Sequence, residues 1–135
     1  MRIDHVVLWV EDPLRSVAFF SEVLGCEGVR VDAFRDGKAP FPSIRIAGDQ
    51  LIDLMPHRMA PMIEKIPGAA GTAGHRTNHV CLAMSKDDWA AVKARVEARG
   101  GHMHVAKESF GAQGAAVETF YFADPDGNIL EARYY

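Results

Sequence analysis

An unbroken apolar run early in the chain gives way to apolar positions at helical spacing. In DHVVLWV (4 to 10) an apolar run follows Asp4 and His5, as in a strand. From Pro13 onward Leu14, Val17, Ala18 and Leu24 fall on one face of a helix. Asp12 stands as its N-cap, Pro13 at its first position, and Gly25 at its stop. The opening pattern recurs, since NHVCLAMSKD (78 to 87) aligns without gaps on DHVVLWVEDP (4 to 13). Its helix begins at Ser85, with Asp88 at capping-box spacing, buries Trp89, Val92 and Val96, and ends before Gly100.

Three strand-like segments follow each helix. They are expected at about 28–35, 42–47 and 50–55 in the first copy, and at about 102–107, 116–123 and 128–134 in the second. The last two of each set are joined by turns, Ala-Gly-Asp-Gln and Asp-Pro-Asp-Gly-Asn. Each copy therefore reads β-α-β-β-β, and the expected fold class is α+β. A single domain of 1–135 is expected, with modules at about 1–57 and 77–135. The connector, about 58–76, is rich in Pro, Gly and Ala, with an apolar patch at Met59, Met62, Ile63 and Ile66 and room for one short helix.

The repeat pairs polar residues as well. His5 corresponds to His79, and Ile-Asp-Leu (52 to 54) corresponds to Leu-Glu-Ala (130 to 132), which makes Asp53 the counterpart of Glu131. Alternation puts His5 with Ile3, Val7 and Trp9, His79 with Cys81 and Ala83, Asp53 with Leu51 and Met55, and Glu131 with Ile129. None of these faces is polar. Any one of the four residues alone has a structural reading, as a satisfied core histidine or a solvated carboxylate. Together they point elsewhere, because a buried ionised carboxylate needs a partner, and two imidazoles and a carboxylate satisfy one another around a divalent cation. Such a set suits Fe(II), Mn(II), Zn(II) or Ni(II), whereas a closed structural zinc site favours cysteines.

Composition narrows the function classes. The chain has 135 residues, 48% hydrophobic and 24% charged, enough for one packed core. A net charge of -3 offers no basic stripe for nucleic acid and no polybasic segment for a membrane surface. No apolar run reaches the roughly 18 to 20 residues that span a bilayer, and the start of the sequence reads as strand rather than as a signal peptide. A cytoplasmic protein that binds neither nucleic acid nor membrane is expected. Cys26 and Cys81 form no CxxC pair, so both are expected to be reduced, and Cys81 to lie in the core.

The repeat, together with DHVVLWVEDPLRSVAFFSEVLG, NHVCLAM and above all FYFADPDGNILEA, resembles the vicinal oxygen chelate superfamily: glyoxalase I, fosfomycin-resistance proteins, extradiol dioxygenases and bleomycin-resistance proteins. The resemblance spans essentially the whole chain. It implies that two βαβββ modules form a cup-shaped mixed sheet whose metal ligands come from the first and last strands of the modules. Carried over, the ligands are His5, His79 and Glu131, with Asp53 where glyoxalase I has a fourth ligand, a glutamate. Gly-Asp-Gln in the first turn and the GAQG loop (111 to 114) look like a glyoxalase-like subgroup that includes virulence-type proteins.

On this resemblance the expected function is metal-dependent lyase, isomerase or dioxygenase chemistry on a small oxygen-rich molecule, in a homodimer. Glu131 and Asp53 are the candidate catalytic carboxylates, and Asp53 is either a ligand or a proton acceptor. Asp53 is one methylene shorter than the glutamate of glyoxalase I, and 107–118 contains no potassium-loop motif of the fosfomycin type. The alternative is a bleomycin-resistance-like binding protein without catalysis, although such members generally lack the ligands present here. His57, His75, Arg76, His102, His104, Arg35, Arg45 and Lys107 are expected at the rim or in solvent. The Phe34, Phe41, Phe110, Phe120 and Tyr121 set divides between core and pocket wall.

Overall fold

The computed structural model describes residues 5–48, 50–65, 71, 74, 77, 79–101, 103–108, 110–111 and 113–135. It divides into two compact units, Met1–Arg76 and Thr77–Tyr135. Each is built on a four-stranded mixed sheet with few helices, the α+β architecture anticipated from the repeat.

In the first unit, β1 (His5–Val10) leads into α1 (Pro13–Leu24). Asp12 caps the helix by accepting from the amides of Leu14 and Arg15, and Gly25 ends it at φ +72°, where a side chain would be strained. Next come β2 (Glu27–Val29), α2 (Val31–Arg35), β3 (Ser43–Ala47) and β4 (Gln50–Pro56). The strand order is β1-β4-β3-β2, with β1 parallel to β4 and the other pairs antiparallel. The expected strand at 28–35 is thus only half right, because Arg30 takes a left-handed φ of 61° and turns the chain out of the ladder into a short helix. The connector begins as a 3-10 turn, His57–Met59, and continues as α3 (Ala60–Ile63), the short helix expected there. Ile66, His75 and Arg76 lie outside the described residues.

The second unit repeats the plan. β5 (Val80–Ala83) is followed by α4 (Lys86–Ala98), whose N-cap Ser85 accepts from the Asp88 amide as its spacing foretold and donates its hydroxyl to the Asp88 carboxylate. Strands β6 (His104–Lys107), β9 (Glu118–Ala123) and β10 (Ile129–Tyr134) complete a sheet ordered β5-β10-β9-β6. A small hairpin of β7 (Phe110–Gly111) and β8 (Gly114–Ala115) precedes β9 and was not legible in the sequence. His102 lies outside the described residues.

Each sheet has a helix face and an opposite face, called open here for lack of a packed helix although its inner residues Ser43, Asp53, Met55, Glu131 and Arg133 are buried. In the first unit Gly28, Ile44, Ile52 and Leu54 form the helix face. A Cβ at Gly28 would stand 3.1 Å from Val17 of α1 and 2.7 Å from Val31, so a side chain there would push on both. Phe19, Phe20 and Val23 of α1 and Leu8, Val10, Ile44, Ile52 and Leu54 of the sheet are buried in this core. In the second, Trp89 of α4 packs edge-on against Phe120 and Tyr134 and donates its indole N–H to the Ala132 carbonyl at 3.0 Å. Alternation sends Asp53 and Glu131 to the other, open faces. Cys81 shares the open face of the second unit and is exposed, not in the core as expected, because β5 is an edge strand and α4 covers only the far side.

The DPDGN turn between β9 and β10 owes its form to Asp124. Its buried carboxylate accepts from the Asp126 and Asn128 amides and from the Asn128 side chain at 2.7–2.9 Å, while Gly127 takes φ 77°. The most specific motif of the sequence is therefore a structural lock that sets the register of β10, and with it the direction of Glu131.

Candidate functional site

Glu131 lies in the middle of β10, between its antiparallel partner Tyr121 and its parallel partner Cys81. It is 1% exposed. Its Oε1 accepts from the Thr119 hydroxyl at 2.6 Å and from the Arg133 guanidinium, two residues along the same face. Its Oε2 stands 3.2 Å from Nε2 of His79. Burial alone would push the Glu131 pKa up, but the bonds from Thr119 and Arg133 outweigh it and hold the carboxyl below its usual value. Burial likewise opposes the charge on Arg133, and the bond to Glu131 overrides it, raising that pKa. The Cys81 thiol is pushed up by burial and then by the Glu131 charge, so it is protonated at neutral pH.

His79 keeps a side chain 36% exposed just before β5, with its ring edge-on to Tyr121 at 5.6 Å. His104, exposed on the edge strand β6, lies 6.2 Å from the same Tyr121 ring. The open face of the second unit thus carries a row of aromatic rings ending at a buried carboxylate.

The first unit carries a parallel arrangement. Asp53 is 8% exposed and lies directly opposite Ser43 on β3 and Val7 on β1, one pleat along from the partner of His5. Its Oδ1 accepts from the Ser43 hydroxyl and from Nη2 of Arg30, the latter at 3.1 Å. Among the described residues Oδ2 accepts no hydrogen bond. His5 is exposed at the start of β1, and Trp9, two pleats on, stacks against His57 at 5.8 Å. Each carboxylate of the repeat is therefore held by one hydroxyl and one arginine. The hydroxyl comes from the neighbouring antiparallel strand in both units, directly across for Asp53 and diagonally for the longer Glu131.

Among the described residues no group of three or more His, Cys, Asp or Glu could hold a metal ion, but His79 and Glu131 form a close pair in the second unit. That pair fits a cation: two donors each 2.0–2.2 Å from one ion, at octahedral or tetrahedral angles, stand about 2.9–3.5 Å apart, and the observed separation is 3.2 Å.

Four residues that matter here were missed in the sequence. Arg133 and Thr119 could have been found by alternation and strand pairing with Glu131, and Ser43 by its place opposite Asp53. Arg30 gave no periodic signal. Arg45, Arg35 and Lys107 are held near the surface by Gly48 and Glu27, Asp32, and Glu118 respectively. Of the aromatic set, Phe120 is core, Phe41 and Phe34 lie under the Arg30 and Arg58 guanidinium groups, and Tyr121 lines the open face.

The model of the glyoxalase/bleomycin resistance protein/dioxygenase superfamily matches residues 2–132. The chain belongs to this superfamily. The virulence protein STM3117 of Salmonella typhimurium is 30% identical, over 99% of this chain and 84% of its own length. The crystal structure of STM3117 aligns with a TM-score of 0.75 at 27% identity, covering 100% of this chain and 97% of that one. An integron cassette protein from the mobile metagenome of V. cholerae aligns at 0.74 and 26%, covering 100% and 95%. A lactoylglutathione lyase from Agrobacterium tumefaciens, at 0.68 and 21% over 98% and 92%, shares the superfamily fold. Enzymes thus stand among the relatives in fold, and the β-α-β-β-β repeat is the superfamily's architecture.

Proposed function

We propose that the chain is a divalent-metal-dependent enzyme acting on a small oxygen-rich substrate, with His5, His79 and Glu131 as the metal ligands. The observation that carries this reading is Glu131: a carboxylate buried to 1%, kept ionised, with one oxygen locked by Thr119 and Arg133 and the other 3.2 Å from a half-exposed imidazole. A carboxylate needed only to neutralise Arg133 has no reason to turn its second oxygen to the open face. His5, on the matching edge of the repeat, is the third ligand in this reading, and Fe, Mn, Zn and Ni all suit two imidazoles and a carboxylate.

When bound, such an ion supplies a Lewis acid for two neighbouring substrate oxygens. The protein's own share is positioning and proton transfer. Thr119 and Arg133 hold Glu131 in one orientation, and Tyr121 supports the His79 ring. Asp53 is the candidate proton acceptor, because Oδ1 is anchored by Ser43 and Arg30 while Oδ2 accepts no hydrogen bond among the described residues.

The test is turnover of 2-oxo-hemithioacetals, catechols and epoxides by metal-loaded and chelator-treated protein, with Asp53→Asn beside the parent. We expect activity only in the metal-loaded parent, and an Asp53→Asn variant that keeps its metal but loses at least about 100-fold in rate. Lost metal in that variant would make Asp53 a fourth ligand. Retention of both would remove it from the chemistry.

We further propose a homodimer. Among the described residues β1 and β5 each pair with one strand only, and Val105 and Val117 are exposed at 43% and 53%. Light scattering at micromolar concentration should return twice the chain mass; a strict monomer would refute the assembly.

A further inference from the structure

We infer that the open face of the first unit holds a subsite for a flat aromatic ring, in which Phe41 and Trp9 receive the ring and Asp53 accepts a hydrogen bond from an O–H or N–H that the ring carries. Strand pairing sets three side chains in one row across this face. Met55 lies directly opposite Trp9 of β1, two residues along β4 from Asp53. On its other side the ladder runs on past the start of β3, since the Leu54 amide donates to the Pro42 carbonyl at 3.0 Å, and that pairing puts Phe41 opposite Met55. The Phe41 ring stands on the same face as Asp53, because it lies 5.1 Å from the Arg30 guanidinium that bonds both Asp53 and Ser43. Met55 is 4% exposed, whereas Phe41 and Trp9 are only half-buried, so the accessible surface of the row belongs to the two aromatic residues. His57, exposed and stacked on Trp9 with the rings 14° from parallel, flanks one end of the row, and Arg30 flanks the other.

The second unit shows that the repeat does not require such a row. There the equivalent positions are Thr119, Arg133 and Ala83, again direct neighbours across three strands, and two of them serve the carboxylate, since Thr119 and Arg133 both bond Glu131. In the first unit the arginine comes from outside the row, immediately after β2, and the hydroxyl from Ser43. The three positions are thereby released from holding the carboxylate, and all are apolar. Asp53 supplies a second, independent observation. It is 8% exposed, its Oδ2 accepts no hydrogen bond among the described residues, and 11% of its side-chain surface is still accessible to a donor. A carboxylate oxygen so far withdrawn from water calls for one. A ligand whose ring lies against Phe41 and Trp9, and whose O–H or N–H reaches Oδ2, meets both needs: aromatic side chains favour another ring in offset or edge contact, and the donated bond is charge-assisted. The substrate class is then an aromatic molecule with a hydroxyl or amino donor on its ring. This rests on the reading of Asp53 as proton acceptor for its catalytic meaning, but its test needs neither turnover nor metal.

The experiment is a ¹⁹F NMR titration of the whole protein, freed of metal by chelation, with three ligands. They are 4-fluorophenol, 4-fluoroanisole, which keeps the ring and loses the donor, and 4-fluorocyclohexanol, which keeps the hydroxyl and loses the flat ring. The phenol should bind saturably with Kd of about 1–10 mM, ordinary for a ligand of this size. The anisole should bind at least about fivefold more weakly for want of the charge-assisted bond, and the cyclohexanol at least about threefold more weakly for want of ring contact. Trp9→Leu and Phe41→Leu, which keep an apolar side chain but remove the flat face, should each weaken the phenol at least about threefold, and Asp53→Asn should cut its preference over the anisole to less than about twofold. A phenol that does not saturate overturns the subsite. Equal affinity for phenol and anisole overturns the contact with Asp53, and equal affinity for the cyclohexanol overturns the aromatic class. Affinity unchanged in both leucine variants puts the ring elsewhere and overturns the assignment to this row. Should a leucine variant fail to fold, the three ligands on the parent and on Asp53→Asn still decide. A chain that binds the ring but no divalent ion loses the metal reading alone, and one that binds the ion but no ring loses this inference alone.

Discussion

Glu131→Leu is expected to lower the free energy of unfolding by about 3–5 kcal/mol, the usual consequence of leaving one member of a buried ion pair alone. The partner left behind is Arg133, 5% exposed, whose guanidinium is bonded to Glu131 Oε1. The Thr119 hydroxyl loses an acceptor as well, though it retains the Ala132 carbonyl at 3.2 Å. Replacing both charges with apolar residues of similar volume removes the penalty at its source, so Glu131→Leu/Arg133→Met should recover to within about 1 kcal/mol of the parent. Urea denaturation followed by circular dichroism measures both. The double variant should be folded yet unable to hold a divalent ion, which separates the pair's contribution to stability from the ligand role of Glu131. A single variant within about 1 kcal/mol of the parent would mean that Glu131 is not the partner that keeps Arg133 buried.

The two open faces explain how much of this was readable beforehand. The repeat, both helix starts and the direction of Asp53 and Glu131 follow from period and capping chemistry, which are local, and the strand registers agree with them. Segment 31–35 was not readable, because its helix follows one left-handed residue, Arg30, a backbone conformation that the residue type does not signal and whose side chain meets distant partners on β3 and β4. Cys81 misled for a related reason: an apolar neighbourhood in sequence does not say which face of an edge strand a helix will cover. The carboxylates were visible as types at positions, but the arginine and hydroxyl beside each emerge only once strands are paired. Their common pattern gives the two carboxylates different scope. Glu131 is locked inside the sheet, whereas Asp53 shares its oxygen with an arginine that still faces solvent.

His79→Ala is the sharper probe of the metal reading. The imidazole is half-exposed, so its removal should change stability by no more than about 1 kcal/mol. Metal affinity should fall by at least about 100-fold, since even the outer partners of metal ligands cost about 10–100-fold when lost. Stability and metal binding thus part company at His79, whereas at Glu131 they fall together. The most direct measurement is the metal content of the purified protein after exposure to Fe, Mn, Ni and Zn, with His79→Ala treated in parallel. About one divalent ion per chain is expected in the parent and little or none in the variant; a parent that stays metal-free with all four ions would contradict the metal site.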